Sequence, residues 1–473
     1  MTHSEAARHF ADLAQPKVSP ALDPDFRPNV LANRAFSAKV AETGAGVPLA
    51  IALDRMDGTC SRYDTAIFPD GHELAPLNLP YVERLVKFLL WQKGAPKVWI
   101  GGSDAVAAHI RSVYSPGGAR AFDYEFMGET IYERPFEVVS CPIDAVPPAR
   151  ETSMAIGRHL EGCRIGFDLG ASDRKVAAVI DGEAVYTEEV VWTPRDATDP
   201  QYHYDEIMAA LKKAAEHMPR VDAIGGSSAG VILHNRPMVA SLFRGVPKDL
   251  FETRIKNLFL DIGKAWGVPI EVANDGDVTA LAGAMSLGEN AVLGIAMGSS
   301  EAVGYVNGEG NITGWLNELA FAPIDVHPEA PADEWSGDVG CGVQYLTQQA
   351  VFRLAKKVGI QLDESALLAE RLKAAQSLLE AGDERAEMIW ATIGVEAGYA
   401  VAHYATFYDV EHVLVLGRVT SGRGGGIILD RAREVLRTEF PEMAARIRLN
   451  LPDEKTRRVG QAVAAASLPE IAG

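Results

Sequence analysis

The chain has 473 residues, 47% of them hydrophobic and 23% charged, a balance that supports more than one buried core. Its formal net charge is -19 with acids spread along the whole length, so it offers no basic stripe to a polyanion and no nucleic-acid partner is expected. The four cysteines, Cys60, Cys141, Cys163 and Cys341, form no CxxC pair, no apolar run approaches the ~20 residues of a membrane span, and the first residues hold no signal-peptide core. Reduced thiols, a cytoplasmic location and no membrane partner are the expectations.

Residues 1–47 join a short helical pattern to the prolines of PKVSPALDPDFRP, which stop a helix and predict an extended arm packed on a neighbour. Residues 48–160 read as an extra α/β domain: strand PLAIALD, turn RMDGTCS, strand RYDTAIF, helix YVERLVKFLLWQKG and strand KVWIGG. Residues 161–288 repeat that order with CRIGFDLG, VAAVIDG, AVYTEEVVW, a helix over DEIMAALKKAAEHM and strand VDAIGGSSAG. Asp54 matches Asp168, and IGGSDA from Ile100 matches IGGSSA from Ile224, so the first segment reads as a degenerate duplicate of the second, the alternative being the coincidences any α/β chain yields. Residues 289–473 form a third α/β stretch: strands AVLGIAMG and EAVGYVNG, a loop to about Gly340, long helices over 342–407, strand HVLVLG and a glycine-rich turn into helix IILDRAREVLR. The loop HPEAPADEWSGDVG is rich in proline, glycine and acid and is expected at the surface.

Four segments carry candidate chemistry. Gly166 to Ser172 joins two strands through a glycine turn whose backbone N–H groups can approach a phosphate, with Asp168 facing metal and phosphates; alone, the segment is also an ordinary tight turn. In EVANDGD, Asp275 stands at a strand end beside a helix N-terminus, where a carboxylate can take a hydroxyl proton as that oxygen attacks a γ-phosphate; the plain alternative is that Asp275 and Asp277 only cap the helix. Gly298-Ser299-Ser300 repeats the strand-turn-strand logic. In the fourth segment, Leu416-Gly417 and Ser421 to Gly426 leave backbone open to a flat ring before a helix N-terminus.

In this order and spacing the segments resemble the ROK family of sugar kinases and repressors, within the actin-like ATPase superfamily, over roughly residues 164–430. GFDLGAS looks like the family's first phosphate motif, EVANDGDVTALAGA like its catalytic strand and helix, AMGSSEAVGYVNGEG like its second phosphate motif and LVLGRVTSGRGGG like its adenosine motif. The resemblance implies an α/β, ribonuclease H-like two-lobe fold, ATP and Mg²⁺ as cofactors, a sugar-like substrate and a homodimer. It further implies Asp275 as catalytic base, Asn274, Asp275 and Glu318 as substrate contacts, and Asp168, Gly170, Ala171, Ser172, Gly298 and Ser299 at the nucleotide phosphates with Mg²⁺ near Asp168. Gly417 and Gly422 would flank the adenosine.

GWLNELAF resembles the family's AGEIGH stretch with Phe321 where the zinc-ligand histidine stands, and of the zinc cysteines only Cys341 remains. One thiol cannot build a tetrahedral site, and His327 reads as a surface residue, so no structural zinc is expected. Val343 replaces a substrate-contacting glutamate. Residues 48–160 have no counterpart in the family pattern and are not a basic winged helix; with Met56 in place of a glycine, they are expected to bind no nucleotide and to cover the cleft or mediate dimerisation. Two functions fit these readings: an ATP-dependent kinase of a sugar hydroxyl, or a non-catalytic sugar sensor acting through a protein partner.

Overall fold

The computed structural model describes residues 1–151, 156–452 and 454–471, with backbone alone for 454–459. Two helices, α1 (His3–Asp12) and α2 (Asn29–Glu42), precede the first sheet, which comprises β1 (Val47–Asp54), β2 (Cys60–Ile67), α3 (Asn78–Lys93), β3 (Lys97–Gly101), α4 (Asp104–Val113), α5 (Ala121–Glu125) with a π-helical turn over Phe126–Tyr132, and β4 (Glu137–Cys141). The first lobe follows as β5 (Cys163–Leu169), β6 (Asp173–Ile180), β7 (Glu183–Val191), α6 (Pro200–Ala215), β8 (Ala223–Ser228), hairpin β9 (Val231–Leu233) and β10 (Arg236–Val239), α7 (Lys248–Thr253), α8 (Leu258–Trp266) and β11 (Ile270–Asn274). After α9 (Asp275–Leu287) the second lobe runs β12 (Val292–Met297), β13 (Glu301–Val306), α10 (Gln348–Lys357), α11 (Leu368–Glu380), α12 (Glu384–Tyr404), β14 (His412–Leu416), α13 (Arg423–Glu439), α14 (Pro441–Arg446) and β15 (Arg448–Asn450), and α15 (Glu454–Ala466) closes the chain.

Strand order in the first lobe is β11-β8-β5-β6-β7 and in the second β13-β12-β14-β15. The antiparallel β5, β6 and β7 return the chain to the direction of β5, so the crossover through α6 lays β8 parallel to β5, with Asp168 beside Ser227. The first sheet, β2-β1-β3-β4, departs from that plan. It has only two strands before its crossover helix, so β3 leaves in the direction of β2 and lies antiparallel to β1. Asp54 and Asp168 therefore stand on strands with differently directed neighbours, and the duplicate expected from the sequence is not reproduced in topology.

The arm is also not merely extended. Helix α2 follows the prolines, and Phe36 is buried face-on to Tyr81 with ring centroids 4.0 Å apart and edge-on to Phe68. The proline segment lies across the second lobe of the same chain: Val18 N–H donates to Tyr399 Oη, Asp23 pairs with Arg353 and Lys357, and Asn29 N–H donates to the Ile324 carbonyl. One hydrophobic core runs from Phe10, Phe36 and Trp91 through Tyr345, Trp390 and Val435, so residues 1–141 and the second lobe form a single packed body. The first lobe has its own core around Ile165, Phe167, Leu211 and Phe259.

Two helices lie between the lobes. Helix α9 shares a core with Val292, Val306 and Leu414, and α15 returns to the first lobe rather than belonging with the rest of 289–473 as expected. Gly166 and Gly225 make room for it: a Cβ on either would stand 1.8 or 1.6 Å from the carbonyl oxygens of Ala462 and Ala465.

Candidate active site

Asp168 is the penultimate residue of β5 and is 5% exposed. Ser227 Oγ donates to its Oδ1 at 2.7 Å, and Lys175 Nζ lies 3.7 Å from its Oδ2. Burial raises the Asp168 pKa against these two partners. The following turn is fixed by Gly170 N–H to the Asp173 carbonyl and by Trp192 Nε1–H to the Gly170 carbonyl, which leaves Ala171 and Ser172 exposed at its tip. The second-lobe turn has the same form, with Gly298 N–H on the Ser300 carbonyl and Ser299 and Ser300 exposed. Gly417, at φ +97°, passes so near Met297 that a Cβ would meet its carbonyl oxygen at 2.5 Å, which places the glycine-rich segment beside the Gly298 turn. Burial would raise the Asp173 carboxyl, but Lys175 and Ser172 lower it, as does the charge of Arg418 from the second lobe.

Gly422 precedes α13 beside a carboxylate. Glu380 of α11 accepts the Arg423 N–H at 2.8 Å, and a Cβ on Gly422 would meet the same carboxylate, so Glu380 occupies the N-terminus of α13.

Asp275 stands where β11 of the first lobe passes into α9, which packs on the second lobe. Asn274, not Asp277, caps the helix: its Oδ1 accepts the Gly276 N–H at 2.7 Å and its Nδ2 donates to the Gly230 carbonyl at 2.8 Å. Both ends of the Asn274 amide, expected at the substrate, thus serve the backbone. Asp275 is half-buried, and its carboxyl is pushed up to about 6 by burial and by the charge of Asp168. Glu318 is likewise half-buried and raised to about 7 by burial and by Asp275. The structure therefore gathers Asp168, Asp275 and Glu318 into one electrostatically coupled group.

Three contributors were not legible from the sequence. Asp277 accepts the Tyr305 N–H and Asn317 Nδ2–H at 3.1 and 2.9 Å, which fixes the residue before Glu318. Glu301 is 2% exposed, raised to about 8 by burial, and bonded to Tyr404 Oη at 2.8 Å. The third is α3: its Gln92 and Trp91 carbonyls accept the N–H groups of Asn317 and Glu318 at 3.0 and 2.9 Å, so the extra domain positions Glu318 directly.

The same domain fills the place of the zinc motif. Phe321 stacks on Trp91 at 4.3 Å, and Cys341 is a buried thiol pushed up to about 12 by burial. Beside it Asp338 receives Arg84 at 2.7 Å, Lys87 at 3.3 Å and Arg120, while Lys87 also meets Asp123 at 2.9 Å. Burial would raise Asp338, but these three cations hold it well below the usual carboxylate range. A lone high-pKa thiol among cations does not fit zinc. The loop lies at the surface as expected, with Pro328, Glu329, Ala332, Glu334, Trp335 and Gly337 exposed, but it turns Ala330, Asp333 and Asp338 inward, where they are buried.

The ROK family model matches residues 164–447. A solved ROK family transcriptional regulator, a homologue of the E. coli MLC protein, superposes with TM-score 0.52 at 19% identity over 65% of this chain and 78% of its own. A ROK family glucokinase from Streptomyces griseus, solved with glucose and AMPPNP, matches at TM-score 0.48 and 21% identity over 64% of this chain and 98% of its own. The ROK hexokinase of Thermus thermophilus matches at TM-score 0.48 and 20% identity over 64% and 97%. A comparison with curated proteins finds no match. Two sheets related in strand order, with α9 and α15 between them, define an actin-like ATPase fold of the α/β class. The chain belongs to the ROK family.

Proposed function

We propose that the protein is an ATP-dependent kinase that phosphorylates a hydroxyl of a sugar or sugar-like substrate, with Asp275 as general base. The observation that carries this reading is Asp275 itself: a half-buried carboxyl raised to about 6 at the junction of the lobes, coupled to Asp168 on one side and Glu318 on the other. The residues fit a magnesium nucleotide: Ala171, Ser172 and Ser299 are exposed at the tips of the two turns, and Gly417 brings the glycine-rich segment against Met297, next to Gly298. Asp168, Gly170, Ser172, Gly298 and Ser299 would hold its phosphates, and Mg²⁺ supplies neutralisation of their charge when bound.

Glu318 accepts a substrate hydroxyl and orients the ring, held from behind by the Trp91 carbonyl and by the Asp277–Asn317 contact. Asp275 accepts the proton of the reacting hydroxyl as that oxygen forms its bond to the γ-phosphorus and the bond to the ADP leaving group breaks. A base near pKa 6 is ionised at neutral pH yet more basic than a free aspartate, which suits proton abstraction.

A second reading, a sugar sensor without turnover, is favoured by Phe321 under Trp91 and by buried Val343, which place apolar groups where sugar contacts are expected. ATP consumption over a panel of hexoses, amino sugars and polyols separates the two. The kinase reading expects turnover with at least one acceptor, lost in Asp275→Asn with binding retained. Sugar binding without ADP release from any acceptor would establish the sensor.

A further inference from the structure

We propose that His3, Glu83 and His109 form a site for one divalent transition-metal ion of the zinc class, on the face of the extra domain where α1, α3 and α4 meet. The three side chains come from three separate helices, and their ligand atoms all lie within 4.8 Å of one another, the one such group among the described residues. His109 Nε2 lies 2.9 Å and His3 Nε2 3.8 Å from the same oxygen, Glu83 Oε2, and the two imidazole rings are 5.0 Å apart. With metal–ligand bonds of about 2.0–2.1 Å, tetrahedral ligands stand about 3.3 Å apart, so the present spacings bracket those of a loaded site.

The carboxylate is prepared as a ligand. Arg120 holds Glu83 Oε1 through Nε and Nη2 at 3.1 and 2.7 Å, which turns Oε2 toward the histidines. Burial would raise the Glu83 pKa, but the His109 hydrogen bond and the Arg120 charge bring it down to about 2, so the group is anionic at neutral pH. His3 is fixed in the first turn of α1 by the Thr2–Glu5 capping box, and its side chain is 53% exposed, so the site is open to an incoming ion. Two imidazoles and one carboxylate suit zinc, nickel or cobalt rather than calcium or magnesium, which take all-oxygen sets. Three protein ligands leave at least one coordination position for water. None of the three residues belongs to the candidate active site or to the degenerate zinc motif, and the site stands whether or not the protein is a kinase.

Bound metal would join α1 to α3 and α4 and, through Arg120, to Asp338 of the second lobe. The test is isothermal titration of the untagged, chelator-stripped full chain with zinc chloride and separately with nickel chloride, at about pH 7.5. The expected result is one equivalent bound, weakened at least about tenfold in His3→Ala and in His109→Ala, with a thermal midpoint that zinc raises in the parent protein and not in the variants. The exposed His3 makes its variant a safe probe of the folded protein. No heat of binding at about 100 µM metal, or binding unchanged in both variants, would overturn the proposal.

Discussion

Replacing Asp338 by asparagine removes one charge from a buried cluster while keeping its shape. In the parent protein that carboxylate is shared by Arg84, Lys87 and Arg120, whose side chains are 12%, 0% and 8% exposed. Lys87 keeps Asp123 and Arg120 keeps Glu83, but Arg84 retains no other ion pair among the described residues, so the cluster becomes one anion short in a setting with little water. Breaking a buried pair by removing one partner costs about 3–5 kcal/mol. The roughly 300 residues that share the core have an unfolding entropy of about 0.65 kcal/mol/K, so a loss of 4 kcal/mol lowers the thermal midpoint by about 6 °C. Scanning calorimetry measures it, with the exposed pair Arg34–Glu442, 3.5 Å apart, as a control whose Glu442→Gln variant is expected to shift the midpoint by no more than about 1 °C. Since Asp338 is held low in the folded protein, its stabilisation is present above the ordinary aspartate value and declines as pH falls below it; the two proteins should differ by a constant amount above about pH 5 and converge below about pH 4. The difference should also survive added salt, which screens exposed pairs and not this one. A midpoint shift within about 1 °C at neutral pH would refute the reasoning, since the cluster would then not hold the domain to the lobe.

Asp275→Asn should lower turnover about 10²- to 10⁴-fold while leaving sugar binding in place, and the parent kcat/KM should rise with pH through about 6 as the base ionises; a profile flat from pH 5 to 8 would remove Asp275 from that role. Ser299→Arg puts a long side chain on an exposed turn tip, and titration with AMPPNP and Mg²⁺ should show binding weakened at least about tenfold without loss of fold. Gly225→Ala drives a methyl group into the Ala465 carbonyl, so α15 must shift; a destabilisation of about 1–3 kcal/mol is expected, read by denaturant midpoint. His403 is buried and held down to about 3 by desolvation, with Asn29 Nδ2 at 3.3 Å from its Nε2; it contributes stability above its ordinary value, lost as pH falls through it, and His403→Gln should flatten the acid side of the stability profile.

What the sequence made legible was local. The strand-turn-strand segments at Asp168 and Gly298 and the strand-to-helix passage at Asp275 are short-range patterns, and each folds as its own residues dictate. The partners that finish the site are distant in sequence. Glu318 is positioned by a carbonyl at Trp91, and Asp338 by cations at positions 84, 87 and 120, which no spacing rule connects. The loop before Cys341 keeps Glu329, Glu334 and Trp335 at the surface, as its prolines, glycines and acids describe, and only Asp338 turns in to the cations of a domain that composition could not place against it. The prolines before α2 hid that helix, and the matching IGGS segments suggested a repeat because strand direction is invisible in a motif.

The first sheet's domain reaches both sides of the cleft. Toward the second lobe it is joined by a continuous core, while toward the first it is tied at hairpin β9–β10, where Val231 and Met238 enter that core and Glu133 meets Arg236 at 3.0 Å and Lys256 at 2.8 Å. Glu133 and Arg236 are 40% and 33% exposed, so this end is the soft one. The extra domain is thus an outrigger of the second lobe, and any swing of the lobes about α9 and α15 would load the hairpin and the two Glu133 pairs rather than the shared core. The angle of the cleft would thereby be registered upstream of the segment at Asp168, at the single carboxylate of Glu133, through one exposed pair with Arg236 and one with the buried Lys256.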